Sequence, residues 1–349
     1  MDAFEILLRG LAAGVTLTTG IGFLRSARPG AARWSGALFS LSVAAFAVHS
    51  GGSETRSLGP VFGSIAWSLA VGGTAYFWAF GVSLFGDRRL DLSLFAPAAV
   101  MSMIGVIGVL APYGPAGGVW IVHNLLEVVL VAHVTLVIWR GWRGDLVEAR
   151  RSLRGPFMLV VAVYTVMLSG FEVAELLGFR PAWGGPLQAV SLALLSLVGA
   201  ATFLQARPVL FESPARTLSD APDMDAVPVQ DRPALAKLEA LMTGDEIWRR
   251  EGLTVGQLAA EVGTTEHRLR RLINGALGFR NFADFLNARR IAAARAMLAD
   301  PANARTPVSA IAFDLGYASL GPFNRAFKDA TGLTPTAWRG RALDASPEL

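Results

Sequence analysis

The chain has 349 residues, of which 53% are hydrophobic and only 17% are charged. This balance is too apolar for an ordinary soluble protein and predicts membrane-spanning segments. The formal net charge is +4 and cysteine is absent, which excludes disulfides, thiolate metal sites and thiol switches.

Hydrophobic runs of membrane-spanning length fill the first 206 residues. We place seven of them, at residues 4–24, 33–50, 60–85, 92–112, 118–139, 156–178 and 185–206. The second run is the shortest. Buried helices of a large soluble domain would need polar, wet faces, which these runs lack. Residues 1–206 are therefore predicted to form a seven-helix transmembrane domain that serves as a sensor or an anchor.

Arginines divide the connecting loops into two classes. The loops after the first, third and fifth runs carry ten arginines, namely Arg25, Arg28, Arg33, Arg88, Arg89, Arg140, Arg143, Arg150, Arg151 and Arg154. The alternate loops carry Arg56 and Arg180. Because Lys and Arg are retained on the cytoplasmic side, the N-terminus is predicted outside and the chain after Arg207 inside. The acidic start, with Asp2 and Glu5, lacks the basic region of a cleaved signal peptide, so the first run should be retained.

A stretch rich in Pro, Asp and Ser follows the last hydrophobic run. Residues 207–233 contain five prolines and read as a flexible linker without a core of its own. A simple spacer is favoured over a regulated hinge. Residues 234–242 then form a short amphipathic pattern that leads into the C-terminal domain, predicted at 234–341 and followed by a tail at 342–349.

The C-terminal domain contains an internal repeat, in which one helical pattern occurs twice, about 54 residues apart. In the first copy an apolar-periodic helix stops at Gly263 and a second helix starts after the N-cap Thr265. In the second copy the corresponding residues are Gly316 and Ser319. Helix, short glycine turn and capped helix together are typical of a helix-turn-helix.

The second helix of each copy has an apolar stripe and a polar stripe. Leu269, Leu272 and Ile273 form the apolar stripe in the first copy, and Phe323 and Phe327 belong to the second. The candidate DNA-binding residues are Thr265, His267, Arg268, Arg270, Arg271 and Asn274 in the first copy, and Ser319, Leu320, Gly321, Asn324, Arg325 and Lys328 in the second. Their side chains are mostly donors suited to base edges and phosphates. Residues 234–341 carry 15 Lys plus Arg and 10 Asp plus Glu, a net charge of 15 − 10 = +5, which suits a nucleic-acid partner.

From Leu253 to Arg339 the chain resembles the DNA-binding domain of the AraC/XylS transcription regulators. The stretch IAFDLGYASLGPFNRAFK at 311–328, followed by GLTPTAWR at 332–339, carries this resemblance. It implies two helix-turn-helix units joined by a linking helix at 282 to about 298, each placing one helix in the major groove. At 1.5 Å per residue the linking helix spans about 25 Å, which with the flanking units suits recognition helices about 34 Å apart. Leu320, Gly321 and Pro322 stand where relatives often carry polar residues, so base reading by the second helix would rest on Asn324 and Arg325.

Polar residues inside the hydrophobic runs mark a candidate signal-binding pocket, because such residues are costly in a bilayer. In the predicted topology most of them lie in the outer half of the membrane. The candidate ligand-binding residues are His49, His123, Asn124, Glu127, Glu172 and Glu175. They can equally serve as hydrogen-bonding contacts between helices, with Arg9 neutralising one carboxylate. His and Glu side chains also suit a divalent metal, but no tight ligand motif is present, so the metal is left open.

These observations predict an all-α protein, in which a polytopic seven-helix transmembrane domain precedes a cytoplasmic domain with two helix-turn-helix units. The predicted function is a membrane-bound one-component transcription regulator in the inner membrane of a bacterium. Its expected partners are double-stranded DNA, the lipid bilayer, a small-molecule or peptide signal, and a second copy on DNA. No enzyme motif is present, and neither catalysis nor a cofactor is expected.

Three alternatives stay open. The hydrophobic runs can be only an anchor for a constitutively active regulator, or the regulator can be released by proteolysis in the linker. An intramembrane metal-dependent hydrolase fused to a regulator is the enzyme-class alternative, and it would need a further His or Asp near His49 and His123. The signal, the operator and the choice between activation and repression are not given by the sequence.

Overall fold

The computed structural model describes residues 3–25, 30–50, 59–86, 90–111, 115–147, 150–160, 183–212 and 227–344. Within these ranges the chain is helical, and the one β-type pairing is an isolated bridge between Asp145 and Asn281. The prediction of an all-helical chain is confirmed for these residues. The chain divides into two compact units, Met1–Arg143 with Ala149–Glu212 and Gly144–Glu148 with Ser213–Leu349.

The first unit is built from long apolar helices. In the described residues they are α1 (Ala3–Leu24), α2 (Ala31–His49), α3 (Pro60–Val71), α4 (Gly73–Gly86), α5 (Ala96–Leu110), α6 (Pro115–Gly141), α7 (150–160) and α8 (Gly184–Glu212). A 3₁₀ turn at Leu92–Phe95 leads into α5. The helix α8 continues to Glu212, beyond the predicted end of the last hydrophobic run at residue 206.

Five helical stretches of the described chain are long and apolar enough to cross a membrane. They are Ala3–Leu24, Ala31–His49, Leu92–Leu110, Gly118–Gly141 and Gly184–Phe203. Helices α3 and α4 add a sixth if they count as one span, with a bend of 50° where they meet at Gly72. These stretches coincide with six of the seven predicted runs. The predicted run at 156–178 lies largely outside the described residues, so the count of seven stays a prediction.

The first unit has a core of large and small side chains and also exposes many large apolar side chains on its outside. Helix α2 turns Ser35, Gly36 and Ser40 inward, which lets its neighbours approach closely. On the outside, Leu7 is 68% exposed and Leu110 is 77% exposed. Water would disfavour an apolar surface of this kind, so the arrangement suits a lipid surrounding.

Buried charges in the first unit are paired or bonded to backbone. Arg9 forms an ion pair with Glu5 at 3.1 Å and donates to the Gln188 amide oxygen at 3.0 Å. Arg154 donates at 2.6 Å to the Ile138 carbonyl, in the last turn of α6. Arg150 donates at 3.3 Å to the Leu84 carbonyl, near the end of α4. Carbonyls in a last helical turn lack partners within their own helix, so these guanidinium groups satisfy them.

The second unit consists of seven further α-helices in its described part. They are α9 (Arg232–Thr243), α10 (Val255–Val262), α11 (Glu266–Gly275), α12 (Phe282–Ala299), α13 (Val308–Asp314), α14 (Leu320–Thr331) and α15 (Pro335–Asp344). One apolar core unites them with Leu146 and Val227. Val227 lies inside the predicted linker, yet it is 3% exposed and belongs to this core. Most of the rest of that linker, at 213–226, lies outside the described residues.

A buried arginine joins the two halves of this core. Arg290 of α12 donates to the Trp248 carbonyl at 2.8 Å and the Arg250 carbonyl at 3.1 Å. Its guanidinium also lies 5.1 Å from the centre of the Tyr317 ring. Burial raises the pKa of Tyr317 to about 12 and lowers the pKa of Arg290. The hydroxyl of Tyr317 donates to the Asn287 amide oxygen at 2.8 Å.

Candidate nucleic-acid interface

The first helix pair, α10 and α11, has the local signals that the sequence predicted. Thr254 caps α10 through a reciprocal capping box with Gln257. Gly263 ends the helix with φ at +79°, a conformation that glycine adopts without steric cost. The side chain of Thr265 accepts a hydrogen bond from the Arg268 backbone nitrogen at 3.3 Å and so starts α11.

The second pair, α13 and α14, repeats this outline with a weaker cap. Gly316 follows α13 with φ at +82°, and Gly332 follows α14 with φ at +75°. Ser319 stands at the N-cap of α14, but its side chain makes no capping hydrogen bond. Phe323 and Phe327 are fully buried, so the opposite face of α14 is held outward.

That outward face of α14 presents all the candidate residues of the second copy. Exposed side chains or backbone occur at Ser319, Leu320, Gly321, Asn324, Arg325 and Lys328. The face therefore offers an amide and a guanidinium at adjacent positions and an ammonium about one turn later, after a glycine that adds no bulk. Groups of this kind bind base edges and phosphates.

The candidate residues of α11 divide into an exposed and an engaged set. Thr265, His267 and Arg271 are exposed, and the Arg271 side chain is 59% exposed. Asp231 is buried next to this face, and its second carboxylate oxygen lies 3.7 Å from a guanidinium nitrogen of Arg271. The positive charge of Arg271 is thus partly balanced but remains accessible.

The engaged set makes contacts inside the second unit. Arg268 pairs with the Asp231 carboxylate and donates to the Gln230 carbonyl. Asn274 donates to the Phe279 carbonyl at 3.0 Å. The Arg270 side chain is only 2% exposed, because it donates to the Glu266 carboxylate and to the Asp145 carbonyl. In this conformation Arg270 does not lie on the surface, and its predicted contact with DNA remains a prediction.

Sequence reasoning missed two of the groups that hold these arginines, the Asp231 carboxylate and the Asp145 backbone carbonyl. Asp231 lies in the predicted linker. The sequence feature that could have identified it is its position directly before a helix that begins Arg232-Pro233. Asp145 lies far away in sequence, between two predicted membrane runs, and no local pattern relates it to α11. The segment around it is fixed by backbone hydrogen bonds from Leu146 to the Arg280 carbonyl at 3.0 Å and from Phe282 to the Gly144 carbonyl at 2.8 Å.

Helix α12 separates the two pairs. Its 18 residues give a length of about 27 Å at 1.5 Å per residue. It begins at Asn281, whose side chain accepts from the Asp284 backbone nitrogen at 2.8 Å. A rigid spacer of this length is compatible with two helices that enter successive turns of the major groove, about 34 Å apart.

The candidate ligand residues of the first unit do not all come together. Asn124 and Glu127 line one cavity, whereas His49 is exposed at the end of α2. His123 is buried beside the Trp120 ring, and its Nε2 has no hydrogen-bond partner in the described part of the chain. Glu172 and Glu175 lie outside the described residues. Within the described ranges no three His, Cys, Asp or Glu side chains are grouped to hold a metal ion.

Comparison with known families identifies the C-terminal region. Residues 258–341 match the family model described as a helix-turn-helix domain, which is of the AraC type. The predicted resemblance is thereby confirmed for this quarter of the chain. The matched family is a DNA-binding regulator domain without enzymatic activity. Searches of curated proteins and of solved structures found no significant match to the chain.

Proposed function

We propose that this chain is a membrane-bound one-component transcription regulator, whose second unit binds specific DNA sequences through α14 and the exposed part of α11. The observation that carries the proposal is the exposed row of Asn324, Arg325 and Lys328. It stands on a helix that is anchored by two buried phenylalanines within the matched DNA-binding domain. Surface donors on a rigid, core-packed helix are what base recognition requires.

The chemistry of each side chain suggests its role. Asn324 can form paired hydrogen bonds with adenine, and Arg325 can do so with guanine. Lys328 lies one turn further along and suits a phosphate contact, which carries affinity without sequence information. Leu320 is 36% exposed near the helix start and can touch a thymine methyl group.

The first pair adds contacts from Thr265, His267 and Arg271. Arg268, Arg270 and Asn274 can contribute only after their contacts within the second unit are exchanged for contacts with DNA. We therefore expect α14 to carry more of the sequence preference in the conformation described here. A second copy of the chain on adjacent DNA would double the recognition surface.

We place the first unit in a bacterial inner membrane with seven spans, the N-terminus outside and the second unit in the cytoplasm. Five candidate spans in the described residues, or six if α3 and α4 count as one, support this arrangement. So does the uneven distribution of arginines between alternate ends of the apolar runs, although Arg33, Arg140, Arg150, Arg151 and Arg154 lie in helices and not in loops as predicted. A signal bound in the first unit would then change the pairing or orientation of the DNA-binding units by shifting a conformational equilibrium. An anchored but constitutive regulator and a proteolytically released one remain the alternatives, and an immunoblot during induction detects the released fragment.

The proposal is tested with a purified fragment, residues 213–349, and a randomised pool of DNA duplexes. The fragment should enrich a defined sequence at low salt. Arg325→Ala should cost about 1–3 kcal/mol on that sequence and relax the preference at one base pair. Lys328→Ala should weaken binding to all sequences alike and reduce the slope of log affinity against log salt by about one.

Arg341→Ala is the matched control, since it removes the same charge from an exposed position on α15. It should leave both the preference and the affinity nearly unchanged. The fragment lacks Leu146, which belongs to the core of the second unit, so the full-length protein in lipid nanodiscs is tested beside it. Failure of both to bind any duplex at low salt contradicts the main functional claim.

A further inference from the structure

The first unit contains a partly open cavity of about 380 Å³, whose described lining comes from α1, α2, α3, α4, α6, α7 and α8. This volume lies within the range of pockets that bind small molecules. The helices that line it all belong to one compact unit, so the cavity is a property of the predicted membrane domain itself. None of its polar residues is used in the proposed DNA-binding site.

Aromatic rings form much of the cavity wall. Seven of the described lining residues are phenylalanines. Phe77 and Phe157 stack with centroids 5.3 Å apart, and Phe39 and Phe80 stack at 6.1 Å. The faces of aromatic rings carry partial negative charge and attract cations. An apolar body with a positive group therefore fits this wall better than a neutral alkyl chain alone.

A single carboxylate provides charge in the described lining. Glu127 accepts a hydrogen bond from the Thr74 hydroxyl at 2.9 Å, which orients its carboxylate at the cavity. No Lys or Arg occurs among the described lining residues. Because the described lining contains no Lys or Arg, a bound ammonium group would supply a positive charge next to the Glu127 carboxylate. An anionic ligand would be repelled.

The hydroxyl groups of the lining offer acceptors. Thr16 and Thr19 donate at 2.8 Å to the carbonyls of Ala12 and Val15 in their own helix. Thr202 donates in the same way to Val198 at 2.6 Å. Because these hydrogens are used within the helices, the oxygens remain as acceptors for a ligand.

One lining hydroxyl has no partner at all in the described part of the chain. Ser196 is 8% exposed, and its Oγ makes no hydrogen bond there. Buried polar atoms are nearly always satisfied in folded proteins, so an orphan in a cavity wall points to a ligand or an ordered water. A ligand that donates hydrogen bonds would satisfy Ser196 and the threonine oxygens together.

We propose that this cavity binds a hydrophobic organic cation, an amine with an aryl or alkyl body whose ammonium group faces Glu127. In one respect this rests on the proposed function, because the bound amine would be the signal to which the regulator responds. Of the sequence-based candidates in the described residues, Asn124 and Glu127 line this cavity and His49 and His123 do not, while Glu172 and Glu175 lie outside the described residues.

The test uses the full-length protein in lipid nanodiscs and three matched probes, phenylbutylamine, phenylbutanol and phenylbutyrate. Binding is measured by calorimetry against empty nanodiscs, which removes the contribution of partition into lipid. The amine should bind about tenfold or more tightly than the alcohol, a difference expected for one charge-assisted contact. The carboxylate should not bind.

Glu127→Gln retains an oxygen that can accept from Thr74 and should weaken amine binding about tenfold. Ser196→Ala removes one acceptor and should weaken it about threefold. Ser64→Ala is the matched control, because Ser64 is on α3 and bonds to its own helix at the Pro60 carbonyl. An unchanged elution profile and unfolding temperature without ligand identify variants that still fold.

Equal affinity for amine and alcohol, or amine binding that Glu127→Gln and Ser196→Ala both leave unchanged, overturns the proposal. Absence of amine binding to the unmodified protein also overturns it. Because calorimetry is done without DNA, these results do not depend on the second unit. If the fragment 213–349 binds DNA while the amine does not bind the full chain, only the cavity proposal fails.

Discussion

Replacing Gly316 by alanine tests how the second helix pair is held against the core. With φ at +82°, a Cβ at this position would lie 2.2 Å from the Arg249 carbonyl oxygen and 2.9 Å from a guanidinium nitrogen of Arg290. Contacts between a carbon and backbone atoms need well over 3 Å, so the backbone of one segment has to move. Gly332 is the matched comparison, since its φ is +75° but nothing lies within 4 Å of the same added atom.

Both substitutions place alanine in a left-handed backbone conformation, but only Gly316→Ala also creates close contacts with neighbouring atoms. A left-handed conformation costs an L-residue about 1–2 kcal/mol, and the loss of glycine's freedom in the unfolded chain returns about 0.4–1 kcal/mol. Gly332→Ala should therefore destabilise by about 1 kcal/mol. Gly316→Ala adds overpacking worth about 1–3 kcal/mol, so the total should be about 2–4 kcal/mol.

Urea unfolding of the fragment 213–349 measures the difference. Trp248 and Trp338, the two tryptophans of this fragment, report the transition by fluorescence. With a urea slope of about 2 kcal/mol/M, the midpoint should fall by about 0.5 M for Gly332→Ala and by about 1–2 M for Gly316→Ala. Equal shifts for both variants would refute the reasoning, because the close approach of Arg249 would then impose no constraint.

Two further predictions concern the membrane topology and a buried phenol. A reporter active only in the periplasm should be active when fused after Gly52 or Gly114 and silent after Gly155 or Ser213, and activity at Ser213 would overturn the architecture. Tyr317 is the one tyrosine of the fragment 213–349, and its absorbance should titrate near pH 12 instead of 10. The unfolded state releases this proton first, so the contribution of Tyr317 is complete below pH 10 and is lost up to about pH 12. Tyr317→Phe should abolish the absorbance change and flatten that dependence.

The helical periodicity made the second unit largely predictable. Apolar residues at helical spacing gave the buried faces correctly, because Leu269, Phe323 and Phe327 are all fully buried. The glycines at 263 and 316 marked both turns, since each needs a positive φ. The burial of Arg270 was not predictable, because the Asp145 carbonyl that it bonds to lies 125 residues earlier and such a contact leaves no trace in a local pattern.

Hydropathy located the long apolar helices but not their inner arrangement. The bend of 50° near Gly72 lies inside one continuous hydrophobic run, where length and composition carry no information on direction. Spacing placed His123 and Glu127 on one helix face, yet the described cavity lining includes Glu127 and Asn124 without His123. Which face of an apolar helix turns inward depends on neighbours that its own sequence does not specify.

The second unit is assembled from two separated stretches of chain, and this bears on how it could be set free. Leu146 is 2% exposed in its core, and the peptide groups of Gly144 and Leu146 bond to those of Phe282 and Arg280. A protease that cuts only between 213 and 226 would sever one covalent connection and leave this peptide insert in place. Release of the C-terminal fragment would then need a second event, in which residues Gly144–Glu148 leave the core of the second unit. That event would also expose the guanidinium of Arg270, which donates to the Asp145 carbonyl.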